Sequence, residues 1–222
     1  MKVYIRDKYK EIVIFIIIYA ALFTNAIVTQ DSIIALISAF CGITYTILAG
    51  KGLPVCYPIG LTGSGFYVYL SFINNLWGNM FLYLLYYIPM QITGYFSWNK
   101  NLKNNKYEIK KTCLSKKEQI YLLITTLFIS AITAYILFIT GDAHPIADSL
   151  TTVFSILGMY LTVRRAIEQW FIWGFVNAVS LIMWLTVAIN GGKVYSTTFM
   201  WFVYFILAFY FYKKWSDDLK ND

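Results

Sequence analysis

Two carboxamides, Gln91 and Asn177, stand in stretches otherwise fit for lipid, and each belongs to a line of residues able to hold a polar ring. Trp173, Asn177, Ser180 and Trp184 follow at spacings of 4, 3 and 4, which puts them on one face of an α-helix. Tyr83, Tyr87, Gln91, Gly94, Tyr95 and Trp98 recur at similar spacings, and Tyr57, Gly60, Ser64, Tyr67, Ser71 and Asn74 form a third line. Amides bond hydroxyls or a carboxamide, rings stack on a ring, and ring faces attract delocalised positive charge. Gln91 lies seven residues before Trp98, and Asn177 seven after Trp170. At helical rise both amides then sit about 10 Å in from the same end.

Each of these residues also has a purely structural role open to it. A lone Gln or Asn in a membrane helix often bonds one helix to the next, worth about 0.6–2 kcal/mol. Tryptophans near helix ends are usually interface anchors, the role expected for Trp170, Trp201 and Trp215. Gly60, Gly63 and Gly65 suit close helix packing. Asp142, His144 and Asp148 read as caps and turn residues rather than metal ligands, and the three cysteines have no metal-like spacing.

The elements that must carry these lines follow from composition. Of 222 residues, 59% are hydrophobic and only 13% charged, whereas a soluble domain carries about a quarter charged residues. The chain reads as an all-α integral membrane protein. Apolar segments long enough to span fall near 11–29, 32–49, 56–74, 78–99, 119–140, 148–165, 170–190 and 195–214, giving eight transmembrane helices. Asp31-Ser32, Gly50-Lys51-Gly52, His144-Pro145, Asp148-Ser149 and Gly191-Gly192 punctuate them. Pro89, deep in the fourth span, predicts a kink. The apolar run after Lys10 lacks a small-residue cleavage site and reads as a retained helix.

Charge sets the direction. Of the 18 Lys and Arg residues, 17 fall on one side of this arrangement, Lys193 being the exception. Positive-inside places both termini in the cytoplasm. No Lys, Arg, Asp, Glu or His falls in the middle of any span, as proton pumps and many ion-coupled carriers would need. Nor is there a nucleophile–base pair or metal set for an enzyme.

Spans two to four and six to eight are matching three-helix units. A gapless shift of 117 residues lays Asp31-Ser32 on Asp148-Ser149, Tyr67 on Trp184, Tyr87 on Tyr204 and Trp98 on Trp215. The predicted organisation is an N-terminal extra helix (1–30), a first triple-helix repeat (31–99) and a basic loop (100–118). A linker helix with its outer loop (119–146), a second repeat (147–215) and a tail (216–222) follow. Separated by one helix, the two units point the same way, a known transporter plan with substrate at the repeat interface.

The stretch PMQITGYFSWNK (89–100) and WGFVN (173–177) resemble the two signature regions of the PnuC family of nicotinamide riboside transporters, Q-x-x-G-x-x-x-W and W-x-x-x-N. GLTGSGFYVYLSF and NLWGNMFLYLLYYIPMQ are similar to the segments leading into the first, so the resemblance covers most of residues 31–215. It implies a SWEET-like 3+1+3 core with one extra N-terminal helix, in a bacterial inner membrane. It also implies a homo-oligomer such as a trimer, with no cofactor and no nucleic acid as partner. The implied substrate is nicotinamide riboside, a cationic pyridinium with a carboxamide and a ribose. Gln91, Gly94, Trp98, Trp173 and Asn177 carry over from the motifs. Ser64, Tyr67, Tyr95, Ser180 and Trp184 join them as substrate-binding candidates from helix face and depth. The resemblance implies facilitated diffusion by alternating access, with phosphorylation trapping the riboside inside the cell. Another vitamin such as thiamine, a sugar, or a non-transporting receptor or scaffold remain alternatives at this stage.

Overall fold

A computed structural model describes residues 2–30, 33–73, 77–104, 107–141, 144–189 and 195–221. Eight helices account for nearly all of them. They are α1 (Lys2–Thr29), α2 (Ile33–Gly50), α3 (Cys56–Ile73), a composite α4, α5 (Lys116–Ile139), α6 (Pro145–Val163), α7 (Glu168–Ile189) and α8 (Tyr195–Asn221). Helix α4 joins Trp77–Leu82, a π-helical turn Tyr83–Tyr87 and Ile88–Lys100. Each expected span lies on one helix. Asp31-Ser32, Asn74, Asp142 and Gly191-Gly192 lie outside the described residues, as do the side chains of Ser71 and Trp184.

Two boundaries differ from expectation for local reasons. Helix α6 starts at Pro145, where a missing N–H costs nothing and φ is already helical, so Asp148-Ser149 is inside its first turns rather than at its cap. Ser149 is buried there, and its hydroxyl donates to the Ser130 carbonyl of α5. Helix α8 runs on to Asn221, past the expected end at 214. Helix α5 starts with a Ser115 hydroxyl accepting from the Glu118 N–H at 3.3 Å, a Ser-x-x-Glu cap. Only 11% of the apolar stretch of α5 is buried against protein, so most of this helix needs an apolar medium around it. Ser149→Ala is expected to cost about 1 kcal/mol by loosening α5 from α6, read as a lower melting temperature in detergent.

The π turn answers Pro89. A proline inside an α-helix has no N–H to give and its ring presses on the carbonyl four residues earlier, here Leu85. Widening the preceding turn relieves that pressure, and the Ile88 N–H bonds Tyr83 five residues back. The expected irregularity is therefore an extra residue in the helix as well as a proline.

Helices α2–α4 form one packed unit and α6–α8 another, with α5 laid against α6 and α1 against α8 and α2. The units meet where α4 touches α6 and α2 touches α8. Their correspondence is not gapless. Helices α3 and α7 start at 56 and 168, an offset of 112, while Trp98 and Trp215 differ by 117. The gapless shift thus matches the third helices and misplaces the first two by five residues, pairing Tyr67 with Trp184 where the offset of 112 pairs it with Val179.

Two bonds show the corrected correspondence. Trp98 Nε1 donates to the Thr162 carbonyl at 2.8 Å. Trp215 Nε1 donates to the Gly50 carbonyl at 2.7 Å, and residues 50 and 162 again differ by 112. Each unit therefore sends its last tryptophan to the end of the first helix of the other. Trp98 and Trp215 are fully buried, and Trp170 is buried beside Phe211 and Trp215. The interface-anchor role expected for Trp170 and Trp215 is thus wrong: both rings face protein.

The lysine-rich segment after α4 is folded rather than solvated. Its Ile109 N–H bonds Gly52, Thr112 N–H bonds Arg165, and Ile167 N–H returns a bond to Thr112, at 2.9–3.0 Å. Arg165 takes a left-handed φ of 62° to make that turn. Lys111 is buried, pairs with Asp218 on α8 and lies 5.1 Å from the centre of the Trp215 ring.

Candidate functional site

Gln91 stands one turn after Tyr87 on α4 and is buried against α3. Its Nε2 donates to Ser64 Oγ at 2.7 Å, whereas its Oε1 is buried and accepts from nothing. The close approach depends on Gly60, where a Cβ would stand 2.7 Å from Gln91 Oε1 and 2.6 Å from the Tyr45 ring. One turn on, Gly94 lets the Tyr57 ring lie against the backbone of α4. Outward from Gln91 the π turn stacks Tyr83 on Tyr67 at 4.3 Å and Tyr87 on Tyr83 at 4.7 Å between ring centres.

The other unit supplies Trp173, Asn177 and Ser180 from one face of α7. Trp173 lies over Gly158, and its Nε1 donates to Thr162 Oγ1 at 3.1 Å. Asn177 is only 5% exposed, and its amide makes no hydrogen bond among the described residues. Ser180 is buried beyond it. Register places their neighbours. Trp173 faces Gly158 of α6, and Gly174 faces Ala208 of α8, so one helical turn further out Ser155, Asn177 and Tyr204 share a level. Ser155 also faces the Tyr87 hydroxyl across the seam between the units. The Tyr204 phenol lies within electrostatic reach of Tyr67 and Tyr83, and its hydroxyl sits against Gly42.

Gln91, Ser64, Tyr67 and Tyr83 thus gather between α3 and α4, Tyr87 reaches Ser155 of the other unit one turn outward of Gln91, and Asn177 and Ser180 lie on α7. These groups offer neutral donors and acceptors to hydroxyls or a carboxamide, and ring faces to a flat ring. A buried amide oxygen without a partner, as at Gln91, is costly unless something else bonds it.

Of the residues expected to bind, Gln91, Ser64 and Tyr67 gather in the first unit, while Asn177, in the second, is level with Ser155 and so with Tyr87, one turn outward of Gln91. Ser180 lies one turn outward of Asn177. Gly94 serves by its lack of a side chain. Trp98 sits deeper toward the basic end with its N–H already committed, and Trp173 stands between the two levels. Tyr95 does not join them: at the edge of the same stripe of α4, it is 38% exposed and paired with Phe96. Tyr83, Tyr87, Ser155 and Tyr204 were missed as site residues. Tyr87 and Tyr204 had a signal, because they coincide under the shift that aligns the third helices. Two apolar surface grooves, one walled by Ile34, Leu61, Phe66 and Tyr69 and one by Tyr86, Met90, Ile129 and Ile156, lie away from this centre.

A family model described as nicotinamide mononucleotide transporter matches residues 32–217. The nicotinamide riboside transporter PnuC of Neisseria mucosa is 29% identical over 198 residues, spanning 86% of this chain and 74% of that protein. The protein of the same name from Haemophilus influenzae is 29% identical over 219 residues, spanning 93% of this chain and 92% of its own. A crystal structure of the vitamin B3 transporter PnuC superposes with a TM-score of 0.82 at 27% identity, over 95% of this chain and 92% of that one.

Proposed function

The chain belongs to the PnuC family of nicotinamide riboside transporters, a family of membrane proteins, and from that membership we propose that it carries nicotinamide riboside across a bacterial inner membrane. The observation that supports the proposal is Gln91, buried with an Oε1 that accepts no bond among the described residues, and Asn177, a buried residue whose amide bonds none of them, one in each of the two units. The riboside has a carboxamide and ribose hydroxyls to bond both, and a pyridinium ring to lie against tyrosine faces. Gln91, Ser64, Asn177 and Tyr67 are the proposed primary contacts, with Ser180, Trp173 and Trp184 flanking them.

In this reading all eight helices span the bilayer, α2–α4 and α6–α8 are the parallel repeats of a SWEET-like core, and α1 is an addition. Both termini and the basic end face the cytoplasm, and copies of the chain assemble as a homo-oligomer. The two units rock about the seam to expose it to either side. With no Lys, Arg, Asp, Glu or His in the middle of a span to couple to an ion, net uptake comes from phosphorylation of the riboside inside the cell.

Purified protein in liposomes is expected to equilibrate labelled nicotinamide riboside with no ion gradient. Strict dependence on sodium or a proton gradient would sink the facilitator mechanism. Equal competition by thiamine or glucose would sink the substrate assignment.

A further inference from the structure

The two tryptophan bonds at the basic end cross the seam rather than staying within a unit. Trp98 ends the third helix of the first unit and bonds the end of α6 in the second. Trp215 lies six residues before the end of the third helix of the second unit and bonds the end of α2 in the first. The segment from Ile109 to Leu114 lies across both, tied to Gly52 of the first unit and to Arg165 and Ile167 of the second. Lys111 then anchors it to Asp218 beside Trp215. Below this cover Cys56, Tyr57 and Ile109 are all fully buried.

We infer that Trp98 and Trp215 form a paired gate at the basic end, held shut by the Lys111–Asp218 strap, which opens when both indole-to-carbonyl bonds break together. That this end opens at all rests on the transport reading above. Both acceptors belong to the last turn of a helix; the Thr162 carbonyl also accepts from the Arg165 N–H at 3.0 Å. On opening, water replaces the indole, so each bond contributes a net of only about 1 kcal/mol, a factor of about five. The gate is thus closed at rest yet easily reversed. The two halves share the indole-to-carbonyl bond, while the strap reinforces the Trp215 half. In this account Trp98, the tryptophan of the first motif, acts on access to the site and not on the ligand.

Native Cys56 provides the test, in protein carrying Cys41→Ser and Cys113→Ser. Labelling by a polar maleimide in detergent is expected to be slow in this parent. Trp98→Phe and Trp215→Phe should each speed it about fivefold, and the double variant about 25-fold. Trp170→Phe is the control, since it makes the same change of shape in the same core but its N–H has no partner. It should stay within about twofold of the parent. Lys111→Met should also accelerate labelling, and it decides the matter if the Phe variants do not elute as folded protein. Labelling unchanged in these variants, or raised equally by Trp170→Phe, overturns the gate. Nicotinamide riboside binding is measured on the same parent protein: absent binding overturns the transport reading, while the labelling contrast alone decides the gate.

Discussion

Asn177→Leu is expected to weaken nicotinamide riboside binding by about 30-fold or more while leaving the protein as stable as before. Losing a buried amide's bonds to a ligand costs about 2 kcal/mol, which is that factor. The stability half of the expectation differs from the usual buried-polar substitution. Asn177 is 95% buried by its 5% exposure, yet its amide bonds nothing among the described residues, so an apolar side chain of similar size takes no helix-to-helix bond away. Calorimetric titration together with thermal melting in detergent reads both effects. A variant that melts several degrees lower and binds as tightly as the parent would make Asn177 a link between helices, and the scaffold reading would gain.

Gly94→Ala is expected to be strongly damaging for so small a substitution. A Cβ there falls within the Tyr57 ring, and Tyr57 is fully buried with its edge on Trp98 at 5.1 Å between ring centres. No flexible end is available to yield, so α4 must lift from α3. Overpacking of this kind costs about 3 kcal/mol, enough to leave much of the protein unfolded or aggregated after extraction. Gly65→Ala is the matched control, because nothing lies within 4 Å of a Cβ there and helix propensity favours alanine by about 1 kcal/mol. Size-exclusion profiles and melting temperatures of the pair test the packing. Equal behaviour of the two variants would refute it.

Much of the architecture could be read from the chain because a bilayer demands long apolar runs and because Pro, Gly and Asp punctuate them here. Placement of α2, α3, α5 and α7 needed little more. The register of the repeat could not be read in the same way. Five residues of slip fall between the second and third helices of the units, and seven identities in a gapless match could not reveal them. The tryptophans misled for a different reason. A ring near a helix end suits either the lipid interface or a buried seam, and the side on which Trp170 and Trp215 point is decided by partners far away in sequence, Phe211 and Gly50. Tyr95 is adjacent to Gly94, and spacings of three and four admit both positions to one stripe. Only the contact of Gly94 with Tyr57 shows which of the two faces inward. Lys111 looked like one of many solvated lysines because Asp218, its partner, is 107 residues later.

The widened turn at Tyr83–Tyr87 has a consequence for motion as well as for shape. It is a dislocation in an otherwise regular lattice of hydrogen bonds, one residue too many for the length it spans. Dislocations of this kind travel by exchanging one bond at a time, without melting the whole helix. Pro89 pins this one on its inner side, since a residue without an N–H cannot take over the next bond. Travel is therefore one-way, toward Trp77. Each step would turn the stretch it crosses by roughly 100° about the helix axis. The tyrosine offered to the seam would change while Gln91, beyond the pin, stayed in place.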